Sequence, residues 1–217
     1  MMKLYGYFRS SSAWRVRIAL AYKNIAFEHA IVRLSQGEQN QPNFMQLNPL
    51  SQVPVLEVMQ GGQRQLITQS MAILEYLEET HPAPRMLPGD PALRARVREL
   101  AELVNAGIQP LQNLKTQEEL RAHGVDPSPV ARTFIDRGLH ALEQLAQSRT
   151  GRFLVGDEIT FADACLIPQL AAARRYGVDV EPFALLRRVE QECEPLPYFR
   201  AARPEAQPDY VRSPGSP

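Results

Sequence analysis

Apolar and polar residues recur at different periods along this chain, and the changes of period mark its elements. Lys3-Leu4-Tyr5-Gly6-Tyr7 is aromatic and apolar and reads as a short strand. Phe8-Arg9-Ser10-Ser11-Ser12 is a polar loop, and Ala13 to Lys23 reads as a helix. Ala26 to Val32 reads as a second strand, parallel to the first if the helix between them is a crossover. Ser35 to Asn43 is polar, carries Gly37 and Pro42, and reads as an irregular loop or a broken short helix. Asn48-Pro49 signals a turn, and Pro54 to Val58 reads as a third strand opening on a proline, where a missing N–H is tolerated. Gly61-Gly62 then closes a hairpin to a fourth strand, Gln65 to Thr68. From Ser70 the period lengthens: Ile73, Leu74 and Leu77 share one helical face while Glu75, Glu78 and Glu79 face water. The order βαβ, then ββα, describes a small α/β domain over residues 1–81.

Between His81 and Pro91 stand Pro82, Pro84, Pro88 and Pro91, so residues 82–91 read as a linker. Everything from 92 to 217 is expected to be helical. Ala92 to Ala106 places Val97, Leu100, Ala101 and Val104 at amphipathic spacing, and Pro110 predicts a kink or break just beyond. Val130 to Ala146 is a further helix. In Ile159-Thr160-Phe161-Ala162-Asp163, Thr160 and Asp163 fit the N-cap and N3 positions of a capping box. The tail from Pro204 to Pro217 is expected to be irregular or frayed.

Charge narrows the classes of partner. Lys plus Arg is 24 and Asp plus Glu is 24, so the formal net charge is zero. Without a basic field, nucleic acid is not an expected partner. No run approaches the ~18 apolar residues of a membrane span, and the N-terminus lacks a leader pattern, so a cytoplasmic location is expected. Cys165 and Cys193 are far apart, without CxxC spacing, and read as buried bystander thiols; no metal site is expected.

The candidate chemistry sits at the serine triplet. A strand, a hydroxyl-rich turn and a helix start bring side-chain hydroxyls to the positive end of a helix dipole, where an anion or thiolate is stabilised. One serine is also needed simply as an N-cap. Tyr7-Phe8-Arg9-Ser10-Ser11-Ser12-Ala13-Trp14-Arg15-Val16-Arg17-Ile18-Ala19-Leu20 resembles the N-terminal signature of the zeta-class glutathione transferase / maleylacetoacetate isomerase family. That signature usually reads Ser-Ser-Cys before a small residue and Trp-Arg, and Ser12 stands here in place of the cysteine. The resemblance extends from Lys3 to about Asp209 and includes Phe153 to Ala164 as a structural helix start.

The resemblance implies a thioredoxin-like N-terminal domain followed by an all-helical C-terminal domain, the glutathione transferase fold, and glutathione as cofactor. It implies that Ser10 or Ser11 donates to the glutathione sulfur, with Ser12 close by. It places Val53, before a cis Pro54, against the cysteinyl part of glutathione, and Gln69-Ser70 at the γ-glutamyl carboxylate. Gln39, for the glycyl end, and Gln109 join the cofactor-binding set. On the residues alone, Ser70 is most simply a cap and Arg174-Arg175 a solvated helix end. The resemblance instead points Arg175 into the substrate pocket, with Arg174 and Arg9 as further carboxylate partners.

The implied reaction is cis–trans isomerisation of a cis diketo acid, maleylacetoacetate or maleylpyruvate, by reversible thiolate addition, in a homodimer. Two other readings stay open: a general transferase that conjugates or dehalogenates small electrophiles, and a non-catalytic binding module that kept the fold.

Overall fold

The computed structural model describes residues 1–211. In chain order the N-terminal elements are β1 (Met2–Gly6), α1 (Ser11–Tyr22), β2 (Phe27–Ile31), α2 (Pro42–Met45), β3 (Val55–Gln60), β4 (Gln63–Thr68) and α3 (Ser70–Thr80). Then follow α4 (Pro91–Glu102), α5 (Leu114–Ala122), α6 (Pro127–Ala146), α7 (Phe161–Arg175), α8 (Ala184–Cys193) and α9 (Pro197–Ala202). The chain divides into two compact units, Met1–Pro84 with the C-terminal segment from Leu196, and Arg85–Pro195. An α/β thioredoxin-like unit and an all-helical unit make up the fold.

The first unit is built on a four-stranded mixed sheet of order β2-β1-β3-β4. β1 pairs in parallel with β2, Gly6 opposite Ile31, because α1 carries the chain back between them. β3 runs antiparallel to β1, with Tyr5 opposite Val55, and the Gly61-Gly62 turn returns β4 beside it, with Val55 opposite Thr68. Both turn glycines have positive φ, 57° and 79°, as a tight hairpin requires. The pleat sends Leu4 and Leu56, which pair across β1 and β3, to one face, where both are fully buried. It sends Tyr5 and Val55 to the other face, where Val55, Val32 and Phe44 form a cluster with Tyr5, Leu34 and Leu47 around it.

α1 has no exposed stripe. Every residue from Ala13 to Leu20 is buried, Arg15 and Arg17 included. At its far end the buried Lys23 ammonium donates to Glu78 (2.7 Å) and to the carbonyls of His81 (2.7 Å) and Pro84 (2.8 Å), tying α1 to the end of α3. The polar stretch after β2 forms two short 3₁₀ turns, Leu34–Gln36 and Glu38–Asn40, before α2.

Two expectations about domain limits are corrected. Pro91 belongs to α4 as its first residue, because the Asp90 carboxylate caps the helix by accepting from the Leu93 N–H (2.8 Å). Residues 196–211 belong with the α/β unit, not with the helical one. There α9 packs on α1, with Tyr198 edge-on to Tyr22 at 5.0 Å. The tail is therefore packed as far as Tyr210, whose ring meets Phe8, while Val211 is exposed; residues 212–217, the end of the expected frayed segment, lie outside the described residues.

In the helical unit α7 is the centre. It is buried on all sides over its first ten residues, Phe161 to Leu170 without interruption. Its start is the expected capping box, with Asp163 accepting from the Thr160 N–H and hydroxyl, both at 2.8 Å, and from the Leu154 N–H at 2.8 Å. Burial pushes the Asp163 carboxyl up to about 6, against these donors. The break expected near Pro110 is a π-turn over Leu103–Ile108 followed by a 3₁₀ turn over Gln109–Gln112. α6 accommodates that turn at Gly138, where a Cβ would run into the Ile108 side chain.

Candidate functional site

The sheet register decides which sequence motifs meet. β1, β2 and β4 run in one direction and β3 in the other. Their ends therefore place four segments along one edge of the sheet: the loop after Gly6, the turns after Ile31, the stretch before Val55 and the residues after Thr68. These segments carry Ser10, Gln39, Val53-Pro54 and Gln69-Ser70. In open sheets with parallel strands this is the edge where ligands bind.

The serine loop starts α1. Ser10 is its N-cap, and its Oγ accepts from the Ala13 N–H at 3.2 Å while its carbonyl accepts from Trp14 (2.9 Å). Ser11 and Ser12 are the first two helical residues, both half-buried. The cap and the candidate thiolate donor are thus one hydroxyl. A serine oxygen that accepts from Ala13 still has its own proton to donate. Arg9, in the turn before the cap, is exposed.

At the start of β3 the Val53–Pro54 peptide is cis, the isomer the resemblance implied. The β3 ladder begins at Val55, so the peptide groups of Val53 stand outside it. Across that strand, Gln69 occupies the N-cap position of α3 with φ 70° and ψ 120°. This is a region that side chains other than glycine rarely adopt, and such residues concentrate at ligand clamps. Ser70 is the first residue of α3, not its cap: its buried Oγ accepts from Arg15 Nη1 at 3.2 Å. Arg15, fully buried on α1, thereby couples the serine loop's helix to the start of α3, a role that reading the sequence did not assign. The Gln39 side chain is 6% exposed, and its Oε1 has no hydrogen-bond partner among the described residues.

Two further charged groups, Arg17 and Asp209, hold the backbone of the serine loop. Arg17, 2% exposed, donates from Nη1 to the Tyr7 carbonyl (3.3 Å), from Nη2 to the Phe8 carbonyl (3.1 Å) and from Nε to the Ala202 carbonyl (3.0 Å). Asp209 accepts from the Phe8 N–H at 2.9 Å. Burial lowers the Arg17 guanidinium to about 10, and the Asp209 charge acts the other way. His29 is held below its usual range by burial and by Arg17.

The remaining candidates belong to the helical unit. Gln109 opens the 3₁₀ turn after the π-turn and is partly buried. Arg174 is forked onto Glu190, Nη1 to Oε1 at 2.6 Å and Nη2 to Oε2 at 2.5 Å, so its bidentate face is already taken. Arg175, exposed in the last turn of α7, sets its guanidinium 5.7 Å from the Tyr176 ring centre. Cys165 and Cys193 are buried and not joined in a disulfide, and burial raises the thiol of Cys193. No group of His, Cys, Asp or Glu among the described residues is arranged to hold a metal. No helix among them is long and apolar enough to cross a membrane.

A thioredoxin-like unit with a hydroxyl at the start of its first helix and an all-helical unit beside it in the sequence define a glutathione transferase. The glutathione S-transferase N-terminal domain family matches residues 1–79 and its C-terminal domain family residues 118–204. Over 208 residues the chain is 44% identical to maleylacetoacetate isomerase of Mus musculus, covering 95% of this chain and 94% of that protein. To the maleylacetoacetate isomerase of Pseudomonas aeruginosa it is 43% identical over 213 residues, 96% of this chain and 98% of that one. The crystal structure of maleylacetoacetate isomerase from Anaeromyxobacter dehalogenans 2CP-1 with glutathione bound in its active site is 50% identical, with a TM-score of 0.88 and coverage of 97% and 98%. The holo structure of a bacterial zeta-class maleyl pyruvate isomerase is 40% identical, with a TM-score of 0.90 over 96% of this chain and 100% of that one. The chain belongs to the zeta-class glutathione transferase / maleylacetoacetate isomerase family.

Proposed function

We propose that this protein is a glutathione-dependent cis–trans isomerase of maleylacetoacetate or its near relative maleylpyruvate. The observation that carries the reading is the convergence of Ser10, Val53-Pro54, Gln69-Ser70 and Gln39 on one edge of the sheet. Glutathione, when bound, supplies a thiolate that adds reversibly to the substrate's double bond. The Gln39 amide, buried with an unmet acceptor, and the peptide groups of Val53 outside the ladder fit a peptide-like cofactor.

The chain's own residues divide the work. Ser10 holds the sulfur's negative charge: the Ala13 N–H occupies one face of its oxygen and leaves the O–H proton to donate outward. The amino end of α1, with Ser11 and Ser12, adds the positive end of the helix dipole, which lowers a thiol pKa. Gln69 and Ser70 receive the γ-glutamyl carboxylate at the start of α3, with Arg15 fixing the Ser70 hydroxyl. Val53 holds the cysteinyl peptide group and Gln39 the glycyl end; Gln109 is a cofactor residue on the family resemblance alone. On the family resemblance Arg175 and Arg9 are the carboxylate partners of the substrate, while Arg174, the third candidate, is already forked onto Glu190. Ser12, where the family usually has cysteine, takes no part in disulfide exchange, and isomerisation through the cofactor's sulfur does not call on it.

Incubation with a cis diketo acid and trace glutathione, followed by ultraviolet absorbance, tests the proposal. Isomerisation leaves the glutathione thiol count unchanged. Stoichiometric thiol loss favours a conjugating or dehalogenating transferase instead, and no glutathione-dependent conversion refutes the isomerase. We also propose a homodimeric, cytoplasmic enzyme, on the family resemblance; light scattering and cell fractionation test these two points.

A further inference from the structure

The serine loop holds itself together very little. The Ser10 N–H is donated to the Tyr7 carbonyl (3.0 Å) and the Ser10 carbonyl accepts from Trp14 in α1, but the backbone groups of Phe8 and the Tyr7 carbonyl are held by side chains from elsewhere. Arg17 holds the carbonyls of Tyr7 and Phe8, and Asp209, 201 residues away in sequence, holds the N–H of Phe8. The third arm of the same guanidinium holds the Ala202 carbonyl at the end of α9. The Phe8 ring lies edge-on to Tyr210, with centres 5.6 Å apart. A loop that places a hydroxyl is thus fixed by two charged groups and by the C-terminal segment.

We propose that Arg17 and Asp209 are positioning residues for the thiolate donor, so that the C-terminal segment sets the geometry of the active site. The inference rests on the isomerase reading above. Its physical basis is the chain of contacts Asp209–Phe8–Tyr7–Ser10. The Tyr7 carbonyl accepts from both Arg17 and Ser10, so a shift of the loop passes directly into the cap residue. Charged hydrogen bonds in a buried setting are stronger and more directional than neutral ones, which is what a catalytic hydroxyl needs from its support. Small misplacements of a catalytic group are costly in rate even where binding survives.

The test compares Asp209→Ala and Asp209→Asn with wild type, all confirmed folded by circular dichroism. Hydrogen exchange of the segment 7–12 is read by mass spectrometry, alongside kcat and the KM for glutathione. In Asp209→Ala, exchange of this segment should speed up and kcat fall, each about tenfold, the scale of one lost hydrogen bond to a charged partner. KM for glutathione should stay within about threefold, because Val53, Gln69 and Ser70 are untouched. Asp209→Asn should recover most of both, since its amide oxygen still accepts from Phe8. Unchanged exchange and kcat in folded Asp209→Ala would overturn the proposal. So would a loss of the same size in Asp209→Asn, or a KM that rises in step with the fall in kcat. If wild type itself shows no glutathione-dependent isomerisation, the isomerase reading fails, and the exchange rates alone still decide whether Asp209 positions the loop.

Discussion

Ser10 is assigned two roles at once, and one pair of substitutions separates them. As N-cap it accepts from the Ala13 N–H at 3.2 Å, and as active-site donor it gives its proton to the cofactor's sulfur. Replacing a capping serine by alanine costs about 1 kcal/mol of stability, whereas glycine at the same position costs only a few tenths. For a chain of this size 1 kcal/mol corresponds to about 2–4 °C in Tm. The donor role does not discriminate between them, because both variants lack the hydroxyl. A hydrogen bond to a charged group is worth about 1.5–3 kcal/mol, so each should lose about 10- to 100-fold in kcat. Ser10→Gly should therefore melt within about 1 °C of wild type while losing as much activity as Ser10→Ala. Differential scanning fluorimetry gives the first quantity, and isomerisation at saturating glutathione the second. Ser10→Thr, which keeps a hydroxyl and a competent cap, should retain the larger part of the rate. Full activity in Ser10→Gly would refute the assignment and pass the donor role to Ser11 or Ser12. Activity lost in proportion to stability across the series would reduce Ser10 to a cap.

Three further outcomes follow from the same structure. Gln69→Gly relieves a φ of 70° and should stabilise the fold by about 1 kcal/mol in urea unfolding, while raising the KM for glutathione several-fold; unchanged KM would remove Gln69 from the cofactor site. Arg174→Ala loses one half-exposed ion pair, about 0–1 kcal/mol, and should leave the substrate KM alone, whereas Arg175→Ala should raise it about tenfold or more. The reverse pattern would exchange their roles. For Asp163 the folded pKa is raised, from 3.8 to about 6, so the native state binds the extra proton. Its contribution to stability is fully present below about pH 4 and is lost as pH rises through about 6. The stability of wild type relative to Asp163→Asn should accordingly shrink between those pH values by about 2–3 kcal/mol, and a difference independent of pH would contradict the burial argument.

The sequence was most legible where a local signal and the final packing agreed. The four strands and α3 were visible because short apolar runs ended at Gly61-Gly62 and Asn48-Pro49, and Thr160 with Asp163 marked the start of α7. α5 falls in the stretch expected to be helical but has no legible bounds, because Leu114 to Ala122 is mostly polar, with Gln117 its one buried residue, and presents no apolar stripe. Pro91 reads as linker because proline marks both breaks and first turns; Asp90 before it is the cue to the second. Arg15 and Arg17 did leave a trace. They stand in a segment, Ala13 to Leu20, that is apolar on every side of a helix, so neither has a polar face to occupy and both must be buried with partners. Those partners, Ser70 and the carbonyls of Tyr7, Phe8 and Ala202, are set by tertiary folding, and no local pattern announces them. Asp209 is the extreme case: a proline-rich polar tail reads as frayed, yet its one aspartate reaches back to Phe8.

The central claim is that the start of α1 makes a cofactor thiol anionic near neutral pH, and the most direct measurement is ultraviolet titration of the thiolate in the protein–glutathione complex. The account requires the bound thiol to ionise at least about one pH unit below the ordinary cysteine value of about 8.5, and to return to that value when Ser10, Ser11 and Ser12 are all alanine. A bound thiol that titrates at its ordinary value in wild type, or one equally acidic without the three hydroxyls, would contradict it.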